Sequence, residues 1–352
     1  MGFTNNIASH TLKRLLLLIA IGLVKSSFAQ QVPVSQYYVS PILINPALAG
    51  SSSHPLVTVH HRSQWSAYAN AYPINIASVI YPIIQEYPRR INKGGLGLMC
   101  SHEAAGAQGW LTNTELRVAG AYNLPLDYQQ HHIISLGVST SYQQRSIDPG
   151  KIQWGSQYDD EQGYVSSIVP SVNVLRQRVG YVSVQAGAVW SYNTFKNQLL
   201  NPWQWSGGVA IAHMNQPNIS FIDQAQPLPL LIKGHGGISY TKNNWKIHPQ
   251  VMVLKQQSSY HVNVGAYYQY RVGYYDQQQN TVLLGGLWYR WNDAIAASAG
   301  LKHRNIQLAF SVDFSQYPSI DYVSSGQAWE ASIVYTIVHR KEIMKRRSTP
   351  LI

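Results

Sequence analysis

Apolar and polar positions alternate with a period of two through most of the second half of the chain. From His261 to Arg271, Val262, Val264, Ala266, Tyr268 and Tyr270 share one parity; Asn263, Gly265, Tyr267, Gln269 and Arg271 share the other. Ile306, Leu308, Phe310, Val312 and Phe314 alternate with Gln307, Ala309, Ser311 and Asp313. Trp329, Ala331, Ile333, Tyr335 and Ile337 alternate with Glu330, Ser332 and Thr336. Strand side chains point to opposite faces in turn, so each run has one apolar face and one small, wet face that holds an occasional full charge. A soluble sandwich and a membrane barrel share this period. What surrounds the runs decides between them.

Similar runs recur at even spacing. The pattern predicts strands over 57–67, 72–82, 94–104, 109–125, 131–146 and 180–192 in the first half. It continues over 205–214, 230–242, 245–255, 259–271, 279–290, 293–302, 304–315 and 328–338. That is about fourteen strands, many near the ten residues that a tilted membrane-spanning strand needs. Lys242-Asn243-Asn244 and His303-Arg304-Asn305 read as tight turns, and 147–179, 215–229 and 316–327 as long polar loops. With both termini periplasmic, all three long loops fall on the outer side, which matches the even strand number and long outer loops of bacterial barrels. Glycines inside the strands, such as Gly94-Gly95, Gly207-Gly208 and Gly285-Gly286, suit a curved wall and a crowded interior. Before the first strand, Gln36–Ser53 has an Asn-Pro pair and an Ala-Gly-Ser end, too much punctuation for a strand. It reads as an ordered lead-in.

Composition sharpens the choice. Charged residues are only 12%, about half the usual share. Twenty-four tyrosines and ten tryptophans stand against six phenylalanines, and Tyr and Trp suit a membrane–water interface. Residues 1–29 have the layout of a secretory signal peptide: Lys13 and Arg14, an apolar run from Leu15 to Val24, then Ser27-Phe28-Ala29. An uncleaved anchor is the alternative, since Lys25 sits late. No later stretch has the ~18 consecutive apolar residues of a transmembrane helix. In lipid only helices and closed barrels satisfy every backbone hydrogen bond, so a membrane reading requires a barrel. The expected organisation is a signal peptide (1–29), a periplasmic or lumenal lead-in (30–55), an all-β outer-membrane barrel (56–338) and a basic periplasmic tail (339–352). Cys100 is the one cysteine and reads as a small apolar strand residue. Losing Lys13, Arg14 and Lys25 lowers the formal charge from +11 to +8. Half of the remainder lies in the tail, where Arg340, Lys341, Lys345, Arg346 and Arg347 stand against Glu342. The tail is a candidate contact for an acidic partner, or a solvated end.

The run SQYYVSPILINPALAGSS followed by HRSQW at His61–Trp65 resembles the PorP/SprF family of type IX secretion membrane proteins. So do GGLGLMCSHEAAG from Gly94, SYQQRSIDPGKIQWGSQYD from Ser141, AHMNQPNISF from Ala212, KGHGGISY from Lys233 and a long stretch from Gly286. The resemblance implies an outer-membrane barrel of a Bacteroidetes-type bacterium. It would work with type IX secretion components or an exported surface protein, in some members a gliding adhesin. Asn45, Pro46, Gly50, Arg62 and Trp65 carry the motif. The residues alone suit a structural role, with Trp65 an interface anchor, Arg62 an inward charge and the other three shaping the lead-in. Ile168–Arg178 departs from the loop expected there.

The sequence has no nucleophile elbow, phosphate loop or zinc-protease motif, and no cofactor or metal is expected. Adjacent His60-His61 and His131-His132 would split to opposite strand faces, and Asp159-Asp160-Glu161 lacks calcium-loop spacing. Export and the lack of a basic–aromatic groove speak against nucleic acid. Arg117, Arg145, Arg271, Lys302 and Asp313 have the inward parity, and Ser311 reads as a lumen position that would accept a charge. Three functions remain open: a non-catalytic secretion accessory that docks a partner, a general diffusion porin, and a hydrolase with its site at the rim.

Overall fold

The computed structural model describes residues 34–64, 72–87, 90–106, 109–159, 161, 163–169, 177–192, 202–222, 224–272, 281–315 and 328–338. Its first half holds β1 (Leu56–Gln64), β2 (Tyr72–Gln85), β3 (Ile91–Ala105), β4 (Leu111–Pro125) and β5 (His132–Ile147). A two-residue hairpin, β6 (Tyr158–Asp159) and β7 (Gly163–Tyr164), precedes β8 (Arg178–Tyr192) and β9 (Trp203–Ala212). Then come β10 (Leu231–Lys242), β11 (Trp245–Gln256), β12 (Ser259–Val272) and β13 (Thr281–Arg290). The last three are β14 (Ala294–His303), β15 (Ile306–Ser315) and β16 (Ala328–Thr336). β6 and β7 pair only with each other, while the other fourteen strands pair antiparallel with their neighbours and β16 closes on β1 to make a barrel. Closure leaves no edge strand, which lipid would not tolerate.

The alternation sorts the residues as the pattern predicts. Leu308, Phe310 and Phe314 on β15 are exposed on the outer wall, while Ser311 and Asp313 are buried inside. Aromatic rings gather outside at one end, with Tyr192 stacked on Trp205 at 4.0 Å and Trp203 beside Tyr240 at 4.6 Å. Amphipathic rings at this level suit the border between lipid and water. Cys100 is exposed on the outer wall. The end where β1 begins is called proximal and the opposite end distal.

Several boundaries shift for local reasons. Strand β2 runs past Pro82 to Gln85, with its register slipping between Ile83 and Ile84 opposite Gly94 at φ 143°. A bulge there absorbs the residue that proline cannot pair. Strand β9 begins two residues early at Trp203, leaving Met214 in the following turn. Asn243 and Arg304 occupy left-handed turn positions at φ 52°. The loop read over 147–179 contains β6, β7 and two short 3-10 turns, at Pro149–Lys151 and Gly155–Gln157. Residues 170–176, within the segment that departs from the expected loop, lie outside the described residues, as does the loop 316–327.

Candidate functional site

The lead-in folds back through the barrel. Residues 34–50 form three short turns, Tyr37–Val39, Pro41–Ile44 and Pro46–Gly50. Ser35, Gln36, Ile42, Asn45 and Ala47 are completely buried. Such short turns leave most of their backbone groups without helical partners. The inner wall supplies those partners at three levels.

At the distal level, Glu330 accepts the backbone N–H of Ser35 at 2.6 Å and of Gln36 at 2.8 Å on its two oxygens. The same carboxylate meets Arg62, and His60 Nε2 lies 3.1 Å away. Arg62 also reaches Asp313 at 2.7 Å, as does Arg290 at 2.7 Å, and the Ser35 hydroxyl donates to Asp313. Gln36 donates to Ser311 and accepts from Ser332. Two guanidinium groups thus balance the two buried carboxylates, and Arg290 also reaches the more exposed Asp293 at 2.8 Å. A buried charge is tolerated only when so paired.

The middle level catches the carbonyls. Arg117 donates to Ile42 O at 3.1 Å, Lys233 to Leu43 O at 2.7 Å, and Gln185 to Ile44 O at 3.1 Å. The Asn45 side chain caps the next turn by accepting from Ala47 N–H, and its amide donates to Ala188 O and Val209 O. Pro46 fills the first position of that turn, where no N–H is needed. Two wall glycines permit this approach. A Cβ on Gly137 would stand 2.2 Å from Ala47 N, and one on Gly187 2.2 Å from Asn45 Oδ1.

At the proximal level, Gly50 O accepts from Asn92 and Asn123 at 2.9 and 2.8 Å. Tyr38 packs between Trp288 and Tyr267, with ring centroids 5.5 and 5.6 Å away. The chain therefore runs from the distal third of the lumen to its proximal mouth before β1 begins. A cavity of about 200 Å³ remains between this plug and the wall.

Of the residues singled out from sequence, Asn45, Pro46 and Gly50 lie in the plug and Arg62 in the distal charge cluster. Arg117 and Asp313 also contact the plug. Arg145 sits over the Phe221 ring at 5.7 Å, while Arg271 and Lys302 remain at the proximal mouth. Trp65 and the tail residues Arg340, Lys341, Lys345, Arg346 and Arg347 lie outside the described residues. Ser35, Gln36, Glu330, Arg290, Lys233 and Gln185 were not among the candidates. The four on strands signal only an inward polar parity that gives no partner, and Ser35 and Gln36 lie in the lead-in, where no parity applies.

His60 points inward and His61 outward, against Asn75 and the Trp329 ring. Among the described residues, no group of three or more His, Cys, Asp or Glu side chains gathers to hold a metal. Ser183 and Ser239 contact histidines, at 2.8 and 2.6 Å, both through Nδ1. In a hydrolase triad, Nε2 faces the serine and a carboxylate orients Nδ1. Neither pair has that arrangement.

A closed, lipid-faced barrel with a chain segment filling its lumen defines a plugged outer-membrane β-barrel. The family model for type IX secretion system membrane protein PorP/SprF matches residues 26–335, and the chain belongs to that family. Among solved structures, the Ralstonia pickettii toluene transporter TbuX is similar at TM-score 0.49 and 11% identity, over 85% of this chain and 93% of that one. The Pseudomonas putida toluene transporter TodX gives 0.47 and 9%, over 84% and 93%. The KdgM porin gives 0.36 and 9%, over 80% and 99%. No curated protein matches.

Proposed function

We propose that this barrel is a non-catalytic accessory of type IX secretion that docks an exported partner, such as a gliding-type adhesin, or the secretion machinery. Family membership supports the system, and one observation supports the role. The lumen is occupied by residues 34–50, bonded to the wall at three levels from the distal third to the proximal mouth. A general diffusion porin needs an open aqueous path, and this plug stands across it. Among the described residues no acid orients the Ser183–His213 and Ser239–His248 pairs, which weighs against the rim hydrolase. In this reading the signal peptide over 1–29 is cleaved near Gln30 and both ends of the barrel chain are periplasmic. Asn45, Pro46, Gly50 and Arg62 then hold the plug, and the basic tail contacts acidic envelope partners.

The test is capture of the tagged protein from outer membranes, followed by conductance of the purified barrel in a planar bilayer. A stable complex with another envelope protein and little conductance is expected. Steady porin-like conductance from the pure, unmodified protein, with nothing co-purifying, would overturn the reading.

A further inference from the structure

We propose that the proximal mouth of the lumen binds an acidic peptide segment, with carboxylates on a cationic arc and one neighbouring side chain in the cavity above it. This deepens the docking function by naming a site and its chemistry, but rests on that reading only for what presents the peptide.

Three cations define the arc: Lys246 on β11, Arg271 on β12 and Lys302 on β14. All three have the inward parity. Lys246 pairs across the ladder with Gln269 and Lys302 with Gln307, while Val282 lies between Arg271 and Lys302. These positions put like charges near one another on this side of the mouth, Lys246 with Lys302 and Lys302 with Arg271. No ion pair with a described carboxylate relieves them. The described proximal carboxylates, Glu86 and Asp127, sit on the connections after β2 and β4, beside Arg90 at 4.0 Å and His131 at 3.5 Å. The connection 273–280, which carries Asp276, lies outside the described residues. Elsewhere in the lumen, Arg62 and Arg290 are matched by Asp313 and Glu330. Lys233, deeper in the lumen, also has no carboxylate ion pair among the described residues, but the Leu43 carbonyl of the plug takes up its charge.

The cavity begins where the arc ends. Gln269 and Gln307, the partners of the two lysines, line it together with Tyr38 and Pro41 of the plug and Tyr267 and Ser298 of the wall. No charged side chain lines it. Amides, a hydroxyl and aromatic faces suit the backbone and an uncharged side chain of a peptide. About 200 Å³ is room for roughly one such side chain.

Spacing favours a chain over a small anion. Lys246 and Lys302 stand on strands three intervals apart, so the arc extends about 14 Å along the wall at the usual strand separation. An extended peptide covers that distance in about four residues, so acidic side chains along it can meet all three cations while its backbone passes the glutamines.

The experiment uses the purified full chain in detergent and a fluorescent peptide of about eight residues, alternating Glu and Ser around one Tyr. Anisotropy should report binding that weakens with salt. Lys246→Gln, Arg271→Gln and Lys302→Gln should each lower affinity about threefold, and the triple variant tenfold or more, roughly as partly exposed ion pairs do. Heat-modified gel mobility checks that each variant is folded. Removing residues 340–352 should leave affinity within about twofold, which separates this site from the tail. Equal binding by wild type and a folded triple variant overturns the proposal. So does equal binding of a Gln/Ser peptide, or binding of an acidic oligosaccharide in place of the peptide. A failed membrane capture with intact peptide binding rejects the docking function and keeps the site; the reverse rejects the site alone.

Discussion

Glu330 receives two plug N–H groups while facing Arg62 and His60. Glu330→Ala should therefore do more than remove a hydrogen bond, because it strands Arg62 beside a single remaining carboxylate in a dry site. Breaking a buried pair costs about 3–5 kcal/mol. Urea unfolding in lipid should show the loss, with Arg62→Met/Glu330→Leu destabilising less than the single change. A second prediction separates the two faces of β15. Phe310, half exposed at 50% on the outer wall, sits mid-strand, where Arg costs about 2–4 kcal/mol against lipid. Its lumenal comparator is Gln307 at the cavity, and not Ser311. Parity makes Ser311 a lumen position, but it is 1% exposed and accepts a bond from Gln36, so an Arg there would collide with the plug. Phe310→Arg should lower folding yield well below Gln307→Arg, and equal yields would reverse the face assignment. Parity shows which way Arg62 and Asp313 point. It cannot show that they meet each other and Ser35, because Asp313 lies 251 residues from Arg62 and 278 from Ser35.

At the scale of elements, strands and plug differ in how much the sequence reveals, and the reason is where their hydrogen bonds go. A barrel strand bonds to a neighbour of the same kind, so its one local requirement is an alternating face, as β15 and β16 display. The plug's turns bond to wall side chains far away in sequence, such as Lys233 and Gln185. Its Asn-Pro and Ala-Gly punctuation therefore reveals an ordered lead-in but not its place in the lumen. The wall glycines offer a test of that place. With Asn45 Oδ1 only 2.2 Å from a Cβ on Gly187, Gly187→Val cannot coexist with the seated plug. The barrel has its own complete ladder and should still assemble. Limited proteolysis should then cut within 34–50, and single-channel conductance should rise above that of the wild type. An uncut plug and unchanged conductance in the variant would mean that residues 34–50 are not held as described.

At the scale of the molecule, the two ends differ in charge. Lys93, Lys242, Lys246, Arg271, Lys302 and Arg304 all belong to the proximal end. Against them stand Glu86 and Asp127, while the described distal connections carry Asp148, Asp159, Glu161 and Asp293 against Lys151. If β16 delivers the chain to the periplasm, Arg340 to Arg347 extend the basic end beneath the membrane, towards machinery and away from the cell surface. An electrostatic contact of that kind is screened over about 8 Å at physiological salt. It should therefore weaken steeply as salt rises, which packing of apolar surface would not. Deleting 340–352 should leave outer-membrane assembly and heat-modified mobility intact while reducing the envelope proteins that co-purify. Reversing charge at Lys345, Arg346 and Arg347 should copy the deletion, because the sign of the charge and not the fold of the tail is what acts. Co-purification that is equal in the truncated and full chains, at low and high salt alike, would reduce the tail to a solvated end and leave the proximal mouth as the remaining basic contact.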